Sequence, residues 1–222
     1  MASCDMHNSK LVEVHAEKTD FSHTDLRDSK WERCRLVKSD FQSSTMTHCY
    51  FNSCTFDSAS LSMVDMEFSV FDYSAFVDLT LFMGNFDDTS FKNTTLDDVR
   101  MYSASSSSMS NVDFTSAKFE NVAMTNKNAI ICIFNNAYLF GDFNETAFTR
   151  CNFLKSEITG SLLNGARFDE STLAMAKLIS CDMAGASFTR CNMQNAILES
   201  SNLENSDFTG CNLVGANFKD SN

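Results

Sequence analysis

The chain has 222 residues, a formal net charge of −12, 43% apolar residues, 21 Phe, 7 Gly and no Pro. A length of this order holds one elongated domain or two small globular ones. The acidity disfavours direct binding to a nucleic-acid backbone, which needs clustered Lys and Arg, and no apolar run approaches the roughly 18 residues of a membrane span. Met1 to Lys10 lacks the basic-then-apolar layout of a cleaved signal. A cytoplasmic location is therefore expected, with secretion by a route that reads other signals as the alternative.

An internal period organises the chain. From Met6 a step of five meets Leu11, Ala16, Phe21, Leu26, Trp31, Leu36, Phe41 and onward to Met101, every centre large and apolar except Ala16. Two positions before each centre lies a mostly small residue, with Leu79 the large intruder. The next centre, Met109, comes eight residues after Met101, so the register slips within the segment from Tyr102 to Ser108. A short block follows through Phe114, Phe119, Met124, Ala129, Phe134 and Leu139. Lys127 falls in a slot for a small inward residue and Ala129 in one for a large centre, so residues 125–131 read as a local distortion or a protruding loop. A second slip, one residue short, separates Leu139 from Phe143, and the step then runs unbroken to Phe218. The expected organisation is one domain over 1–222, with sub-blocks 4–101, 109–139 and 141–220.

A period of five matches neither a helix face, at 3.6 residues, nor a strand face, at 2. It is satisfied if each repeat forms one side of a square coil of four repeats. Alternation along a short extended segment points the centre and the residue two before it inward, and coils stack at about 4.8 Å. Residues one coil apart then form ladders: Phe148, Phe168, Phe188 and Phe208 in the last block, and Trp31, Phe51, Phe71 and Phe91 in the first. With Gly scarce and Pro absent, the corners must be built from other residues.

Ser201-Asn202-Leu203-Glu204-Asn205, Cys211-Asn212-Leu213-Val214-Gly215 and Ala216-Asn217-Phe218-Lys219-Asp220 resemble the A(D/N)LXX motif of the pentapeptide-repeat family. The likeness covers nearly the whole chain, about 43 repeats. It implies an all-β fold, a right-handed quadrilateral β-helix of about eleven coils, on the order of 50 Å long.

Nine cysteines occupy the small inward slot, which makes them core filler rather than zinc ligands. The four histidines lie off the centres and are expected on the surface. No nucleophile triad, HExxH or phosphate loop is present, so neither catalysis nor a cofactor or metal is expected. Charge is the informative surface feature. Residues 39–91 hold eight acids and no Lys or Arg. The residues expected to face a partner are Asp57, Glu67, Asp72, Asp78, Asp87, Asp88, Asp97, Asp98, Tyr102 and Lys127. The coil places Asp57, Asp78, Asp97 and Asp98 on one side, with Glu67, Asp87 and Asp88 on the opposite side. By its resemblance the chain is similar to non-catalytic interaction modules, including bacterial effectors and the β-helical modules of bacterial ubiquitin ligases. The alternative implied by the family is an acidic mimic of duplex DNA that protects a type II topoisomerase, as in the quinolone-resistance members. The partner is then DNA gyrase or a host protein, and end-to-end self-association is a further expectation.

Overall fold

The computed structural model describes residues 4–102, 108–125 and 127–222. Its architecture follows from where each repeat sends its backbone N–H groups, which must all be satisfied. In the repeat centred on Leu26, the Leu26 N–H donates to Thr45 O at 2.9 Å and the Asp28 N–H to Thr47 O at 3.2 Å, both in the next coil. The Asp25 N–H reaches back to Cys4 O at 3.0 Å, and the Ser29 N–H closes the corner on Leu26 O at 3.0 Å. Only the Arg27 N–H is left, and the Asp25 carboxylate accepts it at 3.1 Å. The same bond recurs from Ser22 to Asp20, Gln42 to Asp40, Thr115 to Asp113 and Thr209 to Asp207. The Asp or Asn before the centre is therefore a backbone acceptor, which is the physical content of the motif's second letter.

The second residue after a centre turns the corner in the left-handed region, with φ between +48° at Asp78 and +59° at Asp28 for the non-glycine positions, Gly141 inside the strand Tyr138–Asp142 being the exception among the described residues. Asn, Asp, Ser and Gly tolerate this conformation best. Strands are short and all paired in parallel, in one sheet of nine and two of three. The nine-stranded sheet runs from His15–Glu17 to Lys177–Ile179, and single bridges carry it on through Ile197 to Asn217. The continuous sheet is thus shorter than the roughly eleven coils expected, and its last levels are held by bridges alone.

Four columns of centres fill the interior, one per face. The first face carries Met66, Phe148 and Phe188, the second Trp31 and Phe71, the third Phe56 and Phe76, the fourth Phe41 and Phe143. On the second face the rings of Trp31, Phe51, Phe71, Phe91, Phe114, Phe134 and Phe153 stack one over the next at 4.6–5.4 Å between centroids. The first-face ladder from Phe148 to Phe208 is stacked in the same way, at 4.9–5.1 Å. Offset or edge-on aromatic pairs add about 0.5–1.5 kcal/mol beyond the area they bury.

The small inward residues do more than fill space. At many of these slots a hydroxyl or thiol donates to the carbonyl of a centre in the coil below: Cys49 to Leu26 O at 2.9 Å, Thr94 to Phe71 O at 3.0 Å, Ser171 to Phe148 O at 2.7 Å, Ser201 to Leu178 O at 2.9 Å. The Leu26 carbonyl, already closing its corner, takes this second bond on its free lone pair. Reading the cysteines as apolar filler missed this role. Seven of the thiols are buried, Cys211 is intermediate and Cys4 is exposed, so Cys4 departs from the expected inward placement. Burial pushes Cys49 and Cys181 up to about 11 and Cys54 and Cys191 up to about 12.

The columns of centres continue across both register slips, and the second falls inside the strand Tyr138–Asp142, as a register shift against Lys118–Ala123. Leu96 pairs with Phe119, 23 positions on, and Ala129 pairs with Phe148, 19 positions on. The short step is possible because Gly141 has no side chain: a Cβ there would lie 2.0 Å from Val122 O. The expected protruding loop over 125–131 is corrected. Asn128–Ile130 is a strand between Ser108–Ser110 and Ala147–Thr149, with buried Ala129 opposite Met109 and Phe148. Residues 103–107 of the first expected loop, and residue 126 of the second, lie outside the described residues.

Phe71→Ala, which removes a ring in contact with Phe51, Phe56, Phe76 and Phe91, should cost about 3–5 kcal/mol and lower the melting temperature by roughly 6–20 °C, read by circular dichroism. Thiol labelling of the folded chain at pH 8 should modify Cys4 and Cys211, the other seven reacting only after unfolding.

Candidate interaction surface

The backbone scheme divides the acids into those the coil uses and those it does not. Asp40 and Asp65 precede centres and accept the corner N–H groups of Gln42 and Glu67, at 2.9 and 3.3 Å. Asp72 and Asp87 do the same for the coil above, accepting Lys92 N–H at 3.0 Å and Ser110 N–H at 2.8 Å. Asp72 also accepts the Ser90 hydroxyl at 2.6 Å. These four carboxylates belong to the fold. Asp72 and Asp87, expected to face a partner, also hold coils together and stay half-buried.

The acids left over are Asp57, Glu67, Asp78, Asp88, Asp97 and Asp98. Asp57 and Asp97 follow centres on the third face, and Asp78 and Asp98 sit at its corner, one level apart. Asp78, Asp88 and Asp98 are exposed, and Asp57, Glu67 and Asp97 are half-buried. Ser58 donates to Asp57 at 3.0 Å and lies 3.4 Å from Asp78, while Arg35 approaches Asp57 to 3.8 Å. On the opposite, first face lie Glu67 and Asp88, with Asn111 donating to Asp88 at 3.1 Å. The acids thus occupy two opposite faces, as the coil geometry implied.

Two expected residues stand differently. Lys127 is 3% exposed in the small inward slot, where desolvation lowers its pKa, so it is part of the interior and not of the surface. Tyr102 closes the strand Thr95–Tyr102 next to residues 103–107. The four histidines are exposed, as expected, and His48 stacks on Phe68 with centroids 5.1 Å apart and rings inclined by 9°.

Sequence reasoning overlooked a set of exposed apolar residues at the left-handed corners: Met63, Phe68, Tyr73 and Met83, 43–62% exposed, with φ between +54° and +59°. The signal was available as large apolar residues two positions after a centre, where Asn, Asp, Ser and Gly prevail. Each combines an unfavourable backbone for a bulky side chain with apolar surface left in water.

Beyond the acidic region, a denser polar network ties the later coils. Asp169 accepts Arg167 at 2.7 Å, Ser187 at 2.7 Å and Thr189 at 2.6 Å, and Glu170 bridges Arg150 and Arg190 at 3.0 and 2.7 Å. Among the described residues no cluster of three or more His, Cys, Asp or Glu is arranged to hold a metal ion, and no helix is long and apolar enough to cross a membrane.

The paired carboxylates define an acid limit. The Arg27 guanidinium beside Asp25 draws its carboxyl down to about 2. At Asp169 burial opposes ionisation, but the bonds from Thr189, Ser187 and Arg167 outweigh it and lower the pKa. Groups depressed in the folded state stabilise it above their unfolded pKa, near 4, and lose that stabilisation as pH falls through the folded value. The melting temperature should hold down to about pH 4 and drop steeply toward pH 2, with Asp169→Asn flattening part of the drop.

Two family models match the chain. One, described as a pentapeptide repeat region, covers residues 1–61, and one, described as pentapeptide repeats (8 copies), covers 166–205 and 181–222. No curated protein matches. Among solved structures, HetL, a pentapeptide repeat protein involved in heterocyst differentiation regulation in the cyanobacterium Nostoc sp. strain PCC 7120, is 15% identical, with 99% of this chain and 91% of that one covered and a TM-score of 0.44. QnrB1, a plasmid-mediated fluoroquinolone resistance protein, is 18% identical, with 95% and 91% covered and a TM-score of 0.38. A pentapeptide repeat protein of the Arabidopsis thaliana thylakoid lumen is 29% identical over 38% of this chain and 59% of that one, with a TM-score of 0.36. With family repeats matched in both end blocks and the same five-residue coil running between them, the chain belongs to the pentapeptide-repeat family.

Proposed function

We propose that the chain is a non-catalytic interaction rod that presents fixed acidic faces to a basic surface of a protein partner in the cytoplasm. One observation carries this reading: Asp78 and Asp98 are stacked in adjacent levels at the third-face corner, both exposed. Like charges directly opposite one another across paired strands are destabilising, and neither carboxylate accepts a backbone N–H of the kind that occupies Asp40 or Asp72. Asparagine or serine would suit these corners without the repulsion, and a partner's basic surface accounts for the charge. Rigid carboxylates also attract a basic partner over a Debye length, about 8–10 Å in ordinary salt.

The narrower reading, imitation of duplex DNA toward a type II topoisomerase, is favoured by the placement of Asp57, Asp78, Asp97 and Asp98 on one face. Glu67 and Asp88 on the opposite face extend the charge around the rod, as two phosphate backbones would.

Asp78→Asn with Asp98→Asn keeps a residue suited to the left-handed corner and removes the repulsion. The melting temperature should rise by about 1–3 °C, while salt-sensitive capture of a partner by the immobilised chain should be lost. Capture that is unchanged in this variant would overturn the wider reading. For the narrower one, wild-type chain at micromolar concentration should alter gyrase supercoiling or its quinolone inhibition, and the double variant should not. Supercoiling indifferent to the wild-type chain eliminates it.

A further inference from the structure

We infer that the first face between residues 63 and 88 is a docking surface for a basic polypeptide segment carrying apolar side chains. This surface lies opposite Asp78 and Asp98 and is independent of them. It is bounded at one corner by Met63 and Met83, 43% and 47% exposed, one level apart. At the other corner Phe68, 47% exposed, stacks on His48. All four occupy left-handed corner positions, with φ between +54° and +59°. Between the two corners lie Asp65 and Glu67, with Asn85 and Asp87 on the level above, and Asp88 beside the Phe68 corner.

The apolar corners mark the surface. A large side chain is disfavoured at a left-handed corner and again in water, yet Met63, Phe68 and Tyr73 fill three successive corners of one turn and Met83 the next corner above Met63. Methionine is a pliable contact surface and favours aromatic and aliphatic partners alike. Charge complementarity names the occupant. The face carries four carboxylates, and no Lys or Arg occurs in residues 39–91. A segment that fits therefore brings Lys or Arg to the middle of the face and apolar groups to one or both corners. A nucleic acid is repelled, and an acidic or purely apolar segment leaves the carboxylates unmatched.

The test uses the full chain and three synthetic peptides of equal length: alternating lysine and leucine, alternating lysine and serine, and alternating glutamate and leucine. Fluorescence anisotropy should show the lysine–leucine peptide binding at least tenfold more tightly than either of the others. Phe68→Asn with Met83→Asn suits the corner conformation better and should leave the melting temperature unchanged or higher, while weakening that peptide at least tenfold. Asp78→Asn with Asp98→Asn should leave its affinity within about twofold, which separates this proposal from the acidic third face. Equal binding of the lysine–serine peptide, or unaltered binding by the Phe68/Met83 variant, overturns the proposal. So does sedimentation showing a wild-type dimer that the Phe68/Met83 variant dissolves, because the corners would then be covered by a second copy.

Discussion

The fold rests on how one repeat satisfies its five backbone N–H groups. In a repeat outside the strands two go to the coil above, one to the coil below, one closes the corner, and the last has no ladder partner, whereas in a strand repeat such as Lys30–Glu32 that last group joins the ladder. The Asp or Asn before the centre supplies the missing acceptor from its own side chain, as Asp25 does for Arg27. This bond recurs at the corners that have Asp or Asn before the centre, among them Asp20, Asp40, Asp113 and Asp207, and it satisfies a donor that the ladder leaves over. The columns of rings then add burial to a backbone already committed to its shape. Stability accumulates between neighbouring levels, as expected of a solenoid.

The same scheme separates structure from function among the carboxylates. Acidity by itself says little here, since Asp20, Asp40, Asp113 and Asp207 are acidic for the sake of the corner. The unusual charges are Asp57, Glu67, Asp78, Asp88, Asp97 and Asp98, one or two places after a centre and, unlike Asp72 and Asp87, not engaged by a backbone N–H of the next coil. The unusual apolar residues stand at the same corners. Methionines and aromatics at positions suited to asparagine combine with carboxylates that stack on their own kind, within one stretch of the first half of the rod.

Much of this was legible in the sequence. The step of five set the inward columns, and the ladders from Phe148 and Trp31 stand where counting in twenties placed them. The division of acids between opposite faces followed from the same count. What escaped it depends on hydrogen-bond direction or local freedom rather than on period. Cys49 and Cys54 look like small apolar filler, yet their thiols donate to Leu26 and Trp31 carbonyls. Ala129 and Lys127 break the pattern of side chains without breaking the backbone, because a strand held on both sides keeps its register whatever the centre's volume. The one-residue slip depends on Gly141, whose lack of a Cβ is a steric matter that spacing cannot express.

The inter-coil bonds also give the rod a direction. In each repeat outside the strands two peptide units point their N–H groups toward the later coil and one toward the earlier, so one unit remains uncancelled, while a strand repeat such as Lys30–Glu32 balances two against two. In levels built without strand repeats, four such units per rise of about 4.8 Å give an axial dipole per unit length comparable to that of an α-helix, which adds one unit of about 3.5 D every 1.5 Å, and levels with strand repeats carry proportionately less. The two edges of any segment of this coil are therefore chemically different. The later edge is rich in donors and electropositive, the earlier rich in acceptors and electronegative. A rod of stacked β-coils is in this sense a vector, with its own backbone field superposed on the one its carboxylates create.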